Sequence, residues 1–512
     1  MNVTRRQFLL GGLGIAGGVT LAACGGQTGG SSSSPSVTKA FPTPSVLPDP
    51  AVHKNLVAKQ RSIDLGGIEA TTWGYESSDG DPAIEVTAGD ILQVDISNEL
   101  PESTSIHWHG LAIPNDVDGV PGITQDPIEP GESFSYSFQV PHAGTYFYHS
   151  HSGIQLDRGL HAPLIVRDPS DPGDYDVEWT IFLDDWLDGI DGHTPDEQLA
   201  MFDSMSGSGG SAMEGMDHSM HNHAAMAESA SMPSGSVASA SMAGMHAGPG
   251  DPALGGDAGD LAYPHYLLNE RIPAAFRTFE AKAGQKARLR FINAGADTIF
   301  KVALGGHTMT VIATDGYAVV PKQVDSFYLG MGERADVEVT LADGVFPLTA
   351  LAAGKDGRAF AVIRTASGEA PSPEASFAQL EAPASFLTDL VAADSARLAT
   401  GEPDVRLDVE LTGQMMPYRW GMSIGGDTLA TVSSGQRVLM TMRNTTAMAH
   451  PMHIHGHTWS LPDNGGLRKD TILIPPGQSV NAELIANNPG EWVLHCHNGY
   501  HMATGMMAQL NY

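Results

Sequence analysis

The chain runs to 512 residues, with 59 acidic and 27 basic side chains and a formal net charge of −32. That balance argues against a nucleic-acid partner, whose phosphates demand Lys and Arg; it leaves attraction of a cationic substrate or plain solubility as its readings. The two cysteines, Cys24 and Cys496, rule out an intramolecular disulfide framework.

At the N-terminus, Thr4-Arg5-Arg6-Gln7-Phe8-Leu9-Leu10 precedes a Gly- and Leu-rich run to Ala23. Twin arginines before a mildly apolar segment predict a Tat export signal over residues 1–24. The run ends Leu21-Ala22-Ala23-Cys24, which resembles a bacterial lipoprotein cleavage site with Cys24 as the lipidated residue. An ordinary signal peptide or a short anchor is the competing reading. The Ser-, Gly- and Pro-rich residues 25–55 read as a flexible tether. No later segment offers the roughly 18 unbroken apolar residues of a membrane span, so any membrane contact is expected through the lipid alone.

The remainder is too long for a single core by the usual prior of about 100–200 residues per domain. Gly89-Asp90-Ile-Leu-Gln-Val94-Asp-Ile96-Ser-Asn98 alternates apolar and polar like a half-buried strand. The frame returns as Gly284-Gln285 through Asn293, and again as Gly435-Gln436 through Asn444. A second frame recurs at Gly131-Glu132, Gly332-Glu333 and Gly477-Gln478. Three units of short strands separated by Gly/Pro/Asn turns predict an all-β chain of three tandem sandwiches, over residues 56–170, 171–370 and 371–512.

The first unit carries His107-Trp-His109-Gly110 and, further on, His149-Ser150-His151. In the middle unit Val302 and Leu304 stand where a His pair would fall, so this unit is expected to hold no metal and to act as a spacer. It also carries an insertion at about 201–258. Nine of the chain's 22 methionines lie between Met201 and His246, Met213, Met216 and Met220 among them, joined by His218, His221 and His223. Such a stretch has too little apolar bulk to order itself, apart from a short helix expected near Glu197–Phe202. Thioethers are soft ligands that select Cu(I); a spacer tolerant of methionine is the alternative.

The third unit repeats the first at a constant offset. His453 follows His107 by 346 residues, and so do His455 after His109, His495 after His149 and His497 after His151. Two sandwiches would thus bring four His-x-His elements, eight imidazoles, together. In an extended strand alternate side chains face opposite sides, so His495 and His497 can serve one metal group while Cys496 serves another. Two imidazoles, one thiolate and a weak axial Met make a blue-copper site. Cys496, His501 and Met506 supply three of these. The same offset maps them onto Ser150, Gln155 and Leu160, and maps His450 onto Thr104, which makes His450 the fourth ligand. The first unit lacks this site and the third has it complete.

The four elements, in this order, resemble the four signature motifs of the multicopper oxidases, the group of laccases, ascorbate oxidase and bacterial cuprous oxidases. The resemblance covers essentially the whole exported chain. It implies three cupredoxin-like Greek-key sandwiches and four copper ions. His450, Cys496, His501 and axial Met506 would bind the type 1 copper, and His107 and His453 the type 2 copper. His109, His149 and His497 would hold one type 3 copper, and His151, His455 and His495 the other. The partners implied are O2 and a one-electron donor, Cu(I) or a small organic reductant. An axial Met implies a low to middle type 1 potential. Asp118, eleven residues after His107, sits where similar enzymes place a proton-relaying carboxylate; the alternative is a turn-forming Asp before Gly119. Many relatives have a second carboxylate directly after the last type 1 His, but this chain has Met502. Met448 and Met502 are candidates to hand Cu(I) to the type 1 centre, or are simply packing. His142, His161, His307 and His457 are read as non-ligands. The leading expectation is an exported, lipid-anchored oxidase of Cu(I). A laccase-like oxidase of phenols or aromatic amines is the alternative within the same chemistry, with oxidation of Fe(II) or Mn(II) ranked below both, and a non-catalytic copper buffer is the alternative of a different class.

Overall fold

The computed structural model describes residues 47, 49–171, 173–205, 248–256 and 259–512. Its strands form six sheets in three pairs. Two four-stranded sheets take strands from Val52 to Arg167, and a six- and a five-stranded sheet take strands from Val177 to Arg364. A second six- and five-stranded pair spans Val405 to Asn511. The first strand, Val52–Asp64, begins inside the stretch expected to be tether. Residues ahead of the third pair of sheets lie against the middle one: Ser385 bridges to Phe327 and Ala392 to Val319.

The repeated frame explains the repeated architecture. Ile91–Asn98, Lys286–Asn293 and Arg437–Asn444 are equivalent strands, each between a parallel and an antiparallel neighbour. Alternate side chains of Ile91–Asn98 and of Arg437–Asn444 are buried, as a period of two requires when one sheet face meets the core. Each strand ends in a buried Asn with the same three bonds. The Asn98 amide donates to the carbonyls of Glu102 and Ile128, both at 2.8 Å, and its Oδ1 accepts from Leu100 N at 2.9 Å. Asn293 serves Thr298, Leu329 and Gly295 in the same way, and Asn444 serves Met448, Ile474 and Thr446. The side chain thereby satisfies backbone groups where the strand gives way to loop. Parallel and antiparallel strands in paired, face-packed sheets give three cupredoxin-like sandwiches.

A helix, Pro195–Met205, leads into the insertion. Thr194 caps it, its hydroxyl accepting from Glu197 N at 3.2 Å, and Pro195 with acidic Asp196 and Glu197 fills the first turn. Its Phe202 is buried and stacks on Tyr418 of the third sandwich, centroids 4.1 Å apart. Cys24, Met213, Met216, Met220, His218, His221 and His223 lie outside the described residues. Among those described, no helix is long and apolar enough to cross a membrane.

Candidate copper centres

Two equivalent hairpins carry most of the histidines. Strand His107–His109 pairs with Gly144–His149, placing His107 opposite His149. Strand His450–Ile454 pairs with Glu491–Cys496, placing His453 opposite His495 and Met452 opposite Cys496. The two hairpins face each other across the junction of the first and third sandwiches. The His107 ring stacks on His455 at 3.6 Å, and His109 stacks on His453 at 3.8 Å. Eight imidazoles from two domains thus meet in one buried chamber.

Their nitrogens fall into close groups. His107 Nε2 and His453 Nε2 are 3.5 Å apart. Potential ligand atoms of His109, His149 and His497 lie within 4.8 Å of one another, as do those of His151, His455 and His495. Other contacts fix which nitrogen faces inward. Nδ1 of His149 bonds the Ser150 carbonyl at 2.8 Å, and Nδ1 of His495 bonds the Cys496 carbonyl at 2.9 Å. Nδ1 of His107 bonds the Asp118 carbonyl at 2.9 Å, and Nδ1 of His453 bonds the Asp470 carbonyl at 3.0 Å. Nε2 of His149, Nε2 of His151, Nδ1 of His109 and both nitrogens of His497 are buried with no hydrogen-bond partner among the described residues. Such orphans are rare in a finished core, and imidazole lone pairs left this way suit copper. Burial pushes His109, His149, His151, His455 and His497 well below the usual imidazole range, and neighbouring imidazoles push the same way. Both effects favour the neutral form of these rings, the form that binds a metal.

On the far side of the Cys496 strand lies a second donor set. Cys496 Sγ is 3.7 Å from Nδ1 of both His450 and His501, and those two nitrogens are 3.1 Å apart. Nε2 of His450 meets the Thr446 hydroxyl at 2.7 Å and Nε2 of His501 meets Asp260 Oδ2 at 3.0 Å, so both Nδ1 atoms turn toward the sulfur. Burial works against a charged His501, but Asp260 and then Cys496 outweigh it and push that imidazole up to about 10. Trp420 covers the His501 ring at 4.0 Å. Met506 is fully buried beside the set, its carbonyl accepting from Cys496 N and its own N–H donating to the His501 carbonyl. At the matching place in the first sandwich, Gln155 Oε1 accepts from Ser150 and Thr104 hydroxyls at 2.7 and 2.8 Å. A neutral hydrogen-bonded knot fills the space that the thiolate and imidazoles occupy in the third.

Asp118 is both turn former and neighbour of the chamber. It caps the short helical turn Asn115–Val117, and its carboxylate Oδ2 accepts from His455 Nδ1 at 2.8 Å. Its Oδ1 has no hydrogen-bond partner among the described residues and lies 3.4 Å from His107 Nδ1. Met502 lines a narrow cleft with Gly153, Ile154 and Gly499 that leads onto His149, His495 and His497. Met448 is 2% exposed and packs in the main core. His457 bonds the His455 carbonyl and the Tyr512 hydroxyl, His142 the Tyr146 hydroxyl, and His161 Asp184.

The middle sandwich is more than the spacer its missing His pair suggested. Val302 and Leu304 are indeed core residues, but Asp260 reaches His501, and Arg334 grips Asp470 beside the eight histidines through two bonds of 2.6 Å. Asp260, Asp470 and Thr446 belong to no repeated frame, and Arg334, which follows Gly332-Glu333, has Ser133 and Ser479 at the matching places of the other repeats, so none of the four carried a signal in the sequence.

This donor arrangement on three such sandwiches defines a copper-dependent oxidoreductase. Residues 57–171, 208–368 and 402–512 each match a multicopper oxidase family model. The chain belongs to the multicopper oxidases. It is 41% identical over 519 residues to the multicopper oxidase MmcO of Mycobacterium tuberculosis, covering 99% of this chain and 96% of that protein. It is 26% identical over 627 residues to copper resistance protein A of Escherichia coli, covering 100% and 99%. Among solved structures, a multicopper oxidase from Pseudomonas thermotolerans superposes with a TM-score of 0.64 at 26% identity, covering 90% of this chain and 100% of that one. Fet3p gives 0.69 at 20% identity with 90% of each chain covered, a likeness of fold.

Proposed function

We propose that this enzyme oxidises Cu(I) to Cu(II) as a defence against copper and passes the electrons to O2. In this reading His450, Cys496, His501 and Met506 hold a type 1 copper, and His107 and His453 a type 2 copper. His109, His149 and His497 hold one type 3 copper, and His151, His455 and His495 the other. Bound there, copper supplies one-electron acceptance at the first set and four-electron reduction of O2 to water at the other three. The peptide units on either side of Cys496 join its sulfur to His495 and His497, a short covalent path between the two donor sets. Asp118, with one oxygen on His455 and the other unpartnered, is placed to carry a proton to the chamber. Asp260 holds the His501 ring with its Nδ1 toward the sulfur.

The observation that carries Cu(I) as the substrate is the concentration of nine of 22 methionines between residues 201 and 246, a stretch whose first residues belong to the Pro195–Met205 helix that stacks Phe202 on Tyr418. Thioethers favour Cu(I) over harder ions. The resemblance to proteins named for copper resistance points the same way. The twin-arginine leader and Cys24 support export and a lipid anchor outside the cytoplasm. A laccase-like action on phenols or aromatic amines is the second reading, favoured by likeness to Laccase-2 of Botryotinia fuckeliana, 26% identical over 513 residues with 89% of this chain and 81% of that protein covered. Against it, Asp260 and His501 are fully buried beneath Tyr418 and Trp420, which denies a bulky ring direct contact.

Oxygen-uptake kinetics on Cu(I), Fe(II) and a phenol, with and without residues 206–247, test the choice. Slower Cu(I) turnover and faster phenol turnover after the deletion are expected. Unchanged rates on all three would remove the insertion from catalysis. Oxygen uptake by a Cys496→Ser variant equal to that of the intact enzyme would leave only a copper buffer.

A further inference from the structure

The chamber of eight histidines is built by the first and third sandwiches, yet the middle one touches it directly. The segment Gly330–Arg334 of the middle sandwich runs against the His109 and His497 rings. A Cβ on Gly332 would lie 2.8 Å from a His497 ring carbon and 2.9 Å from one of His109. Two residues on, Arg334 is fully buried. It donates to the Gly332 carbonyl at 3.0 Å and to the Thr145 carbonyl of the first sandwich at 3.1 Å, and makes a two-pronged pair with Asp470 of the third. Three domains converge on one guanidinium. Gly110, next to His109, permits this: a Cβ there would stand 2.4 Å from the Arg334 guanidinium and 2.6 Å from the Asp470 carboxylate.

Asp470 faces the ligands in turn. Its backbone carbonyl accepts from His453 Nδ1, and its Oδ1 lies 3.3 Å from His109 Nε2 and 3.5 Å from His453 Nδ1. The Thr471 hydroxyl donates to that same Oδ1 at 2.9 Å and lies 3.1 Å from both imidazole nitrogens. This is the mirror of Asp118, whose carbonyl takes His107 Nδ1 and whose carboxylate takes His455 Nδ1. The resemblance ends there, because among the described residues no Lys or Arg pairs with the Asp118 carboxylate, whereas Arg334 pairs with that of Asp470. Lys469 beside it is occupied with Asp315 and Glu333.

We propose that Arg334 is a positioning residue for one half of the oxygen-reducing centre, acting through Asp470 on His109 and His453. By locking the Asp470 carboxylate, it holds His109 with Nδ1 inward and His453 with Nε2 inward, and the Gly332 backbone sets the depth of the His109 and His497 rings. Outer partners of this kind orient metal-bound imidazoles, and their loss commonly costs about 10- to 100-fold in affinity or activity. The inference rests on the ligand assignment proposed above.

The test compares the copper-loaded full chain with Arg334→Lys, Arg334→Met and the double variant Arg334→Met/Asp470→Asn. The double variant removes both charges of the pair and leaves Asp315, 3.6 Å from Arg334, its bond to Lys469, so no buried charge is left without a partner. Expected for Arg334→Met and for the double variant are a type 1 blue band of full intensity and an altered or diminished type 2 EPR signal. Copper binding at the histidine chamber should weaken about 10-fold or more, with Arg334→Lys closer to the intact protein in both readouts. If Arg334→Met does not fold, the double variant decides. A folded double variant with the type 2 signal and copper affinity of the intact chain would overturn the proposal. Absence of a type 2 signal in the intact, copper-loaded chain would instead overturn the ligand assignment beneath it.

Discussion

Asp118 and His455 come from different sandwiches, 337 residues apart, and are joined by a 2.8 Å hydrogen bond between carboxylate Oδ2 and imidazole Nδ1. That bond accounts for one carboxylate oxygen and leaves the other free for a proton. Asp118→Asn keeps the shape and an acceptor for His455 but cannot take up the proton. Steady-state O2 uptake should fall about 100-fold, in the range for loss of a general acid or base. Anaerobic bleaching of the blue band by Cu(I) should keep its rate. Wild-type turnover in Asp118→Asn would reduce the residue to an anchor for His455.

Cys496 divides the two centres. Cys496→Ser should abolish the blue colour and Cu(I)-driven O2 uptake while the histidine chamber keeps its copper. Metal analysis beside EPR checks this: loss of one copper per chain with the type 2 signal retained is the expected result.

Asp260 Oδ2 lies 3.0 Å from His501 Nε2; in the proposed assignment of His501 to a type 1 copper, a carboxylate at that place would favour the oxidised metal. Asp260→Asn removes the charge and keeps a carbonyl for His501 Nε2. The potential of the blue band should rise by about 60 mV, the one-electron equivalent of about 1.4 kcal/mol. A redox titration of that band measures it; an unchanged or lower value would refute the electrostatic reading.

His142 offers a pH handle away from the copper sets. Burial, with Arg468 and Arg334 nearby, pulls its imidazole down to about 4. The ring sits against Tyr317 with Nε2 buried and unpartnered. A depressed folded value means that the unfolded chain, titrating near 6.5, binds the proton first. The contribution to stability is therefore present above about pH 6.5 and is lost as pH falls through about 4, by at most about 3 kcal/mol. His142→Gln should flatten that acid limb in urea unfolding at pH 7 and 4.5.

Asn293 lies in the sandwich without copper ligands, so its role is separable from metal. Asn293→Ala strands two carbonyls and an N–H that it now satisfies, at about 1–3 kcal/mol for each group left unpaired. The transition of the middle domain should shift to lower urea. An unaltered midpoint would show that water replaces the amide.

These cases mark where the sequence was readable. Asn98, Asn293 and Asn444 sit at one register of a strand with period two, and the His-x-His pairs share one offset, so position along the chain translates directly into position in space. The places of Thr104, Ser150 and Gln155 opposite the thiolate set were legible for the same reason, while the helix expected near Glu197–Phe202 extends over Pro195–Met205. Arg334 and Asp470 are 136 residues apart in different domains, and Asp260 and His501 are 241 apart. Such pairs are made by domain docking, and docking leaves no period in a sequence. Met448 and Met502 illustrate the converse. Adjacency in the chain to His450 and His501 suggested a shared role, but strand and helix geometry turn one into the core and the other toward the histidine chamber.

The reciprocal stacking of His107 on His455 and of His109 on His453 has an implication for how the enzyme fails. The four donors of the thiolate set all lie in the third sandwich, with Asp260 of the middle one behind His501, whereas no single sandwich owns the chamber. Partial loosening between domains would therefore yield a protein that is still coloured yet inert toward oxygen. Colour would certify the third sandwich and its contact with the middle one; oxygen reduction would certify the assembly of all three.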